Sequence, residues 1–160
     1  MFSTLLLTTD GSEAAEKAAP YAIKLANTFD ATVYVLYVVE SDAESTEQLN
    51  RLQAVQFEGT TELHKRAAGA IDRIRSYTDE AGVEIEPVIK VGTPVNGIVG
   101  FAENNAIDTI NMTSQGRGGV KQTLLGSVTE RVARRTTVPV LIIDSKGQSE
   151  GVSSEHDPDR

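Results

Sequence analysis

Hydrophobic residues along this chain occur in short continuous runs that alternate with longer stripes at helical spacing. The run Leu5-Leu6-Leu7 is too apolar for a strand with a solvated face, and residues 32–39 are β-branched and aromatic, so both predict buried strands. Between them, residues 13–29 carry a stripe typical of one amphipathic helix, which Ser12 is placed to cap. The stripe consists of Ala15, Ala18, Ala19, Ala22, Leu25, Ala26 and Phe29.

The alternation continues to residue 143. A capping box at residues 45–48 predicts a long helix to about residue 81, and Gly82 is a suitable stop. Its expected inner face carries Leu49, Leu52, Leu63, Ala67, Ala70, Ile71 and Ile74. Residues 84–91 predict a third strand, which Pro87 assigns to a sheet edge because proline cannot donate to the ladder. The remaining predicted elements are a helix from Thr93-Pro94 to about Asn104, a strand Ile107–Met112, a helix Ser127–Arg135 and a strand Val138–Ile143.

This order predicts an α/β fold, a single-domain, doubly wound, five-stranded parallel sheet with helices on both faces. Ligands of such sheets bind outside the carboxyl ends of the strands, where the strand order reverses. If the reversal lies between the first and fourth strands, Asp10 and the loop Thr113–Gly126 face one crevice. We expect residues 1–144 to form this domain and residues 145–160 to be a disordered, polar, acidic tail.

Charge and composition limit the ligands and partners. The 160 residues have a net charge of -8, which repels nucleic acid and anionic membranes, so an anion must be held by a local site. The absence of cysteine excludes disulfides and thiolate chemistry. Neither His64 nor His156 has metal-ligand spacing to a partner. With no signal peptide and no run of membrane-spanning length, we expect a cytoplasmic protein with no metal site and neither nucleic acid nor membrane as a partner.

The segment Thr113–Glu130 is the strongest candidate for binding chemistry. It places a glycine-rich loop between a strand end and a helix start, where backbone amides and the helix dipole favour phosphate. Gly116 and Gly126 would let the backbone approach a phosphate closely, and Arg117 and Lys121 could add countercharge. The alternative is a flexible loop with solvated cations. The loop is neither a Walker P-loop nor a dinucleotide fingerprint.

Ser127 and Asp10 also have two interpretations each. Ser127 with Glu130 forms a capping-box pattern, whereas the Ser127 hydroxyl and the amides of Val128 and Thr129 could instead bind phosphate. Asp10, at the end of the first strand, either forms an Asx-turn or binds a ribose hydroxyl or a phosphate-associated metal. No nucleophile with a paired base is evident, so the sequence favours binding over catalysis.

The chain resembles the universal stress protein family over about residues 2–143. The resemblance is carried by Leu5-Leu-Leu-Thr-Thr-Asp10-Gly-Ser, Leu36-Tyr-Val38-Val and Asp108-Thr-Ile-Asn-Met112. It is carried most specifically by Gly116-x9-Gly126-Ser127-Val-Thr129-Glu-Arg-Val, followed by Val138-Pro-Val-Leu-Ile-Ile143. This resemblance implies a strand order of 3-2-1-4-5 and a homodimer formed through the last strand, Val138–Ile143.

The resemblance also implies a ligand. Many family members bind ATP through the motif Gly-x-x-Gly-x9-Gly-Ser/Thr, so ATP, or AMP or ADP, with Mg²⁺ or Mn²⁺ carried by the phosphates, is the expected cofactor. By position, Asp10 would touch ribose, and Thr8, Val38 and Met112 would line the adenine and ribose pocket. Phosphates would be held by Gly116, Gly126, Ser127, Val128 and Thr129. The implied function is a non-enzymatic stress-response protein with the nucleotide as regulatory ligand.

One position departs from the motif, because Thr113 replaces its first glycine. If this position requires positive φ, threonine costs about 1 kcal/mol or more; if it stays extended, its hydroxyl could donate to phosphate. Thr113 therefore leaves open a ligand-free dimeric module that acts through protein partners. A slow ATP hydrolase is a third hypothesis, although no base or nucleophile stands out.

Overall fold

A computed structural model of the protein describes residues 2–40, 62–115 and 125–144. Its elements follow the predicted alternation of strands and helices. The strands are β1 (Thr4–Thr9), β2 (Thr32–Glu40), β3 (Ile85–Gly92), β4 (Thr109–Thr113) and β5 (Val140–Ile143). The helices are α1 (Glu13–Glu16), α2 (Ala19–Phe29), α3 (Glu62–Arg75), α4 (Pro94–Asn104) and α5 (Ser127–Arg135).

The five strands form one parallel sheet in the order β3-β2-β1-β4-β5. This confirms the predicted fold class and strand order. Pro87 lies in β3 at the sheet edge, as expected of a residue that cannot donate to the ladder. From β1 the chain adds β2 and β3 on one side of the sheet and then β4 and β5 on the other, so the carboxyl ends of β1 and β4 flank the point where the strand order reverses.

Each face of the sheet has its own hydrophobic core, because alternate strand residues point to opposite faces. Leu5 and Leu7 of β1 pack with α2 and α3 on one face. Leu6, between them, packs with α4 and with Val132 of α5 on the other. All three leucines are fully buried, which explains why β1 is a continuous apolar run.

The predicted helix over residues 13–29 is two helices, α1 and α2, separated by a turn at residues 17–18. Pro20 lies in the first turn of α2 and is the physical reason. In a continuous helix its ring would clash with the carbonyl of Glu16, and its missing N–H would break the ladder. Phe29, expected on the inner stripe, is 46% exposed and contacts the ring of Phe2 edge to face.

Other boundaries differ by a few residues. The second predicted helix was placed to about residue 81, but α3 ends at Arg75 and turns follow to residue 82. The hydroxyls of Ser76 and Thr78 donate to the carbonyls of Arg73 and Arg75, which satisfies the helix end and stops it early. The capping box at 45–48, Leu49, Leu52 and the tail 145–160 lie outside the described residues. Strands β4 and β5 begin two residues later than predicted.

Candidate functional site

A cleft of about 520 Å³ opens at the carboxyl edge of the sheet. Its floor is formed by the ends of β1, β2 and β4, and its walls by the first turns of α3, α4 and α5. This is where a doubly wound sheet is expected to bind ligands, and the volume is in the range of small-molecule sites. Asp10 and the two ends of the Thr113–Gly126 loop line this cleft, whereas residues 116–124 of that loop lie outside the described residues.

The candidate ligand residues that the structure describes all line this cleft. They come from four separate stretches of sequence, which the sheet brings together. They are Thr8, Asp10, Val38, Met112, Thr113, Gly126, Ser127, Val128 and Thr129. The other candidates, Gly116 and Arg117, and the neighbouring Lys121, lie outside the described residues.

The loop between β1 and α1 fixes the position of Asp10. Its Oδ1 accepts a hydrogen bond of 2.9 Å from Ser12 N, which is the predicted Asx-turn. Gly11 has φ +82°, a conformation that favours glycine, and its N–H donates to Thr9 Oγ1 at 3.1 Å. Ser12 Oγ accepts from Ala15 N at 3.1 Å, so Ser12 caps α1 as expected. A carboxylate has about four acceptor sites, so the Asx-turn uses only part of the acceptor capacity of Asp10.

Thr113 adopts the extended alternative of the two considered. It is the last residue of β4, and the non-glycine residues of positive φ in the described chain are Asp30 and Ala106. Threonine is therefore unstrained at this position. Its hydroxyl donates its one proton to the Gln115 carbonyl at 2.6 Å, so in this structure that proton is not directed at a phosphate as the extended alternative had allowed.

The end of β4 is tied directly to the start of α5. Thr129 Oγ1 donates to the Thr113 carbonyl at 2.9 Å, and this hydrogen bond is buried. Gly126 N donates to the Ser114 carbonyl at 2.6 Å. These two contacts hold the first turn of α5 against the strand end, and Ser127, Val128 and Thr129 of that turn line the cleft.

The capping box predicted for Ser127 and Glu130 is wrong. Gly126 is the N-cap, Ser127 is the first helical residue, and the Glu130 carboxylate pairs instead with Arg134 at 3.0 Å. The first intrahelical bond runs from Glu130 N to the Gly126 carbonyl at 3.0 Å. The amides of Ser127, Val128 and Thr129 precede that bond, and such amides carry the positive end of the helix dipole. This arrangement favours an anion in the cleft.

Sequence reasoning missed the wall that α3 contributes. Leu63 was expected in the core, yet it is 53% exposed and lines the cleft beside Arg66. Among the described lining residues Arg66 is the only cation, and Asp10 and Glu40 are the carboxylates. The position of α3 over the ends of β1 and β2 depends on tertiary packing, so no local signal pointed to these two residues.

A close approach between α4 and β2 also shapes the cleft. A Cβ on Gly97 would lie 2.9 Å from Cγ2 of Val38, which is closer than real side chains approach. Gly97 therefore lets Val38 stand between the helix and the cleft. The sequence contained a weak signal here, since glycine inside a predicted helix requires a packing reason.

Among the described residues, no group of three histidine, cysteine, aspartate or glutamate side chains is placed to hold a metal ion. Nor does any helix in this part of the chain combine the length and apolarity needed to cross a membrane.

Comparisons of this chain with a family model, with related sequences and with solved structures all identify the same family. A model of the Universal stress protein family matches residues 1–144. Universal stress protein MJ0531 of Methanocaldococcus jannaschii is 34% identical over 148 residues, covering 89% of this chain and 82% of the relative. The solved structure of MJ0577 from the same organism is 30% identical, covers 90% of this chain and 96% of its own, and superposes with a TM-score of 0.68.

Two more distant solved structures contain adenine nucleotides. A universal stress protein in complex with cAMP is 24% identical, with a TM-score of 0.63, covering 89% of this chain and 97% of its own. The Arabidopsis thaliana family protein At3g01520 with AMP bound is 17% identical, with a TM-score of 0.63, covering 89% of this chain and 91% of its own. At these identities the likeness establishes the shared fold.

Proposed function

This chain belongs to the universal stress protein family, and from that premise we propose that it binds an adenine nucleotide, ATP, ADP or AMP, as a regulatory ligand. The observation that carries the proposal is the meeting of Asp10 and the first turn of α5 in one cleft. A ribose acceptor and an anion site are the two groups that a nucleotide requires. The AMP-bound and cAMP-bound relatives with the same fold support this ligand class.

The strand order suggests how the nucleotide lies. Phosphates belong at the first turn of α5, beside the end of β4, because amides and helix dipole favour anions there. Asp10, at the end of the adjacent β1, then meets the ribose. The base extends over the end of β2, where Val38 and Leu36 offer apolar contacts. The neighbours β2, β1 and β4 thus match base, ribose and phosphate.

Any Mg²⁺ or Mn²⁺ is carried by the phosphates in this proposal, since the described residues offer no three-ligand cluster. The protein acts as a binding and regulatory module and not as an enzyme. The extended conformation of Thr113 removes the backbone strain that favoured a ligand-free module. We further propose a cytoplasmic homodimer that pairs through the edge strand β5.

The proposal is tested by calorimetric titration of the full chain with AMP and with ATP plus Mg²⁺. Gly126→Val places a branched side chain at the N-cap of α5, and Asp10→Ala removes the ribose acceptor. Each is expected to weaken binding by about tenfold or more, as lost charge-assisted hydrogen bonds imply. Gly100→Ala, where nothing lies within 4 Å of the added Cβ, is the matched control.

Two results would overturn the proposal. The first is wild-type protein that takes up neither nucleotide and releases none when it is purified natively and denatured. The second is saturable binding that persists unchanged in both Gly126→Val and Asp10→Ala, which would move the ligand away from this cleft.

A further inference from the structure

Arg73 of α3 lies outside the cleft lining but contacts the loop that carries Asp10. Its Nη2 donates to the Gly11 carbonyl at 3.2 Å, and its Nε donates to Glu16 Oε1 in α1. One guanidinium thus joins the residue after Asp10 to the helix that follows the loop. The Glu16 side chain is only 18% exposed, so this contact is partly shielded from solvent.

The same face of α3 packs on Gly11 from the side. A Cβ at Gly11 would lie 3.6 Å from Cβ of Ala70, one turn before Arg73, and 3.5 Å from the ring of Tyr37. Arg66, a further turn back, lines the cleft itself. Residues 66, 70 and 73 share one face of α3. That face therefore contacts both the cleft and the loop that carries Asp10.

The loop needs such support because of its backbone. Gly11 has φ +82° and, lacking a Cβ, restricts its own backbone less than any other residue type. The Asx-turn and the bond from Gly11 N to Thr9 Oγ1 are both local, and they tie the loop only to itself and to the last residue of β1. The bond from Arg73 to the Gly11 carbonyl is a long-range anchor for the Gly11–Ser12 peptide, the second peptide after Asp10.

We propose that Arg73 is a positioning residue of the nucleotide site, which holds the Asp10 loop in the geometry that accepts ribose hydroxyls. This inference rests on the proposed function and adds a residue to it. Arginine suits the role because its planar fork serves two acceptors in different directions through Nε and Nη2. A lysine has a single ammonium group, which is less suited to donating to the Glu16 carboxylate and the Gly11 carbonyl at the same time.

The test is a double-mutant cycle on the full chain, with calorimetric titration of AMP and of 2′,3′-dideoxy-AMP. The variants are Arg73→Gln, Asp10→Asn and the double variant. Arg73→Gln is expected to weaken AMP binding about fivefold, in the range of couplings between contacting residues, and to leave dideoxy-AMP binding within about twofold. In the Asp10→Asn background, Arg73→Gln is expected to change AMP affinity by less than about twofold, because Arg73 acts through Asp10.

Arg75→Gln is the matched control, since Arg75 lies on the same helix, is exposed and loses the same charge. It is expected to bind both ligands as the wild type does. Arg73→Lys, which retains the charge opposite Glu16, is expected to be intermediate for AMP. Because the readout is the ratio of the two affinities, a general loss of stability does not mimic it.

The outcomes separate the two proposals. Wild-type protein that binds neither ligand overturns the proposed function itself. Wild-type protein that binds AMP, combined with an Arg73→Gln variant that binds AMP equally well or loses both ligands alike, overturns the positioning role alone. Additive effects of Arg73→Gln and Asp10→Asn on AMP would do the same.

Discussion

At the scale of single residues, Gly97 and Gly100 form a natural pair for testing how the cleft wall is built. Both lie in α4, but a Cβ at Gly97 meets Cγ2 of Val38 at 2.9 Å, whereas a Cβ at Gly100 meets nothing within 4 Å. Val38 is stiff about χ1, so Gly97→Ala is expected to push it toward the cleft. We expect AMP affinity to fall about fivefold, from an overpacking strain of the order of 1 kcal/mol.

Gly100→Ala is the control for that change. It is expected to leave AMP affinity unaltered and to raise the free energy of unfolding by about 0.5–1 kcal/mol, the usual gain in helix propensity. Calorimetric titration and urea unfolding measure the two quantities. Equal AMP affinities for Gly97→Ala and Gly100→Ala would show that Val38 does not define the cleft wall.

Residue-scale predictions from the sequence succeeded where a local pattern governs the geometry. The Asx-turn of Asp10 and the cap by Ser12 depend on neighbours within three residues, and both are present. The Ser127–Glu130 pattern failed because Gly126 takes the cap and Arg134 lies within reach of Glu130. Arg66 and Arg73 were not singled out, because a solvated arginine and one that contacts a distant loop look alike in a helical stripe.

At the scale of elements, Asp108 clips the start of β1 to the segment that leads into β4. Its Oδ2 accepts from Thr4 N at 2.9 Å, Ser3 N at 2.8 Å and Ser3 Oγ at 3.2 Å. The backbone hydrogen bonds from Thr4 and Ser3 favour the carboxylate and hold the pKa of Asp108 below its usual value. The clip therefore joins two neighbouring strands of the sheet at their amino ends.

The lowered pKa gives the clip a defined pH dependence. Because the folded pKa lies below the unfolded value of about 4, the contribution to stability is complete above that value and is lost as the pH falls through the folded pKa. Asp108→Asn is expected to lower the free energy of unfolding by about 1 kcal/mol at neutral pH. The difference from the wild type is expected to shrink in acid, because protonation removes the charge from the wild-type clip as well.

Urea midpoints measured from neutral to acidic pH test this expectation. Asp79→Asn, at an exposed position with the same change in charge, is the control and is expected to follow the wild type closely. If the loss of unfolding free energy in Asp108→Asn stays the same size in acid, the loss comes from altered hydrogen-bond geometry and not from the missing carboxylate charge.

The order and type of the described elements were predictable because their periodicities differ strongly. β1 and β2 are continuous apolar runs, and α4 begins at Thr93-Pro94 as expected. The boundary errors have local causes, namely Pro20 in the first turn of α2 and the hydroxyls that end α3. The crossing of α3 over the cleft could not be predicted, since it depends on how two cores pack against one sheet.

At the scale of the whole molecule, β5 forms an edge of the sheet with an apolar side chain exposed. Leu141 is 42% exposed, and β5 pairs with β4 along its inner side. The strand predicted to form the dimer, Val138–Ile143, is shorter in the structure and spans Val140–Ile143. If two copies pair through β5, Leu141→Lys is expected to bring like charges together and shift the molecule to monomer.

Size-exclusion chromatography with light scattering measures this shift. The wild type is expected at twice the 17.2 kDa chain mass and Leu141→Lys at the single mass. Tyr77→Lys alters a side chain of similar exposure, 44%, away from β5 and is expected to remain dimeric. A monomeric wild type, or a Leu141→Lys protein that keeps the dimer mass, would exclude pairing through this strand.

The central place of β1 has a consequence for how the protein is made. β1 precedes the other described strands of this sheet along the chain, and β2, which follows soon after, pairs with one of its edges. Its other edge pairs with β4, which is complete only at Thr113, and the anion-facing turn of α5 follows still later. A nascent chain therefore carries one open edge at the middle of its future sheet through most of translation. In the proposed function, nucleotide engages the assembled cleft only after nearly the whole domain has been synthesised, so we expect it to act on the finished domain and not as an aid to early folding.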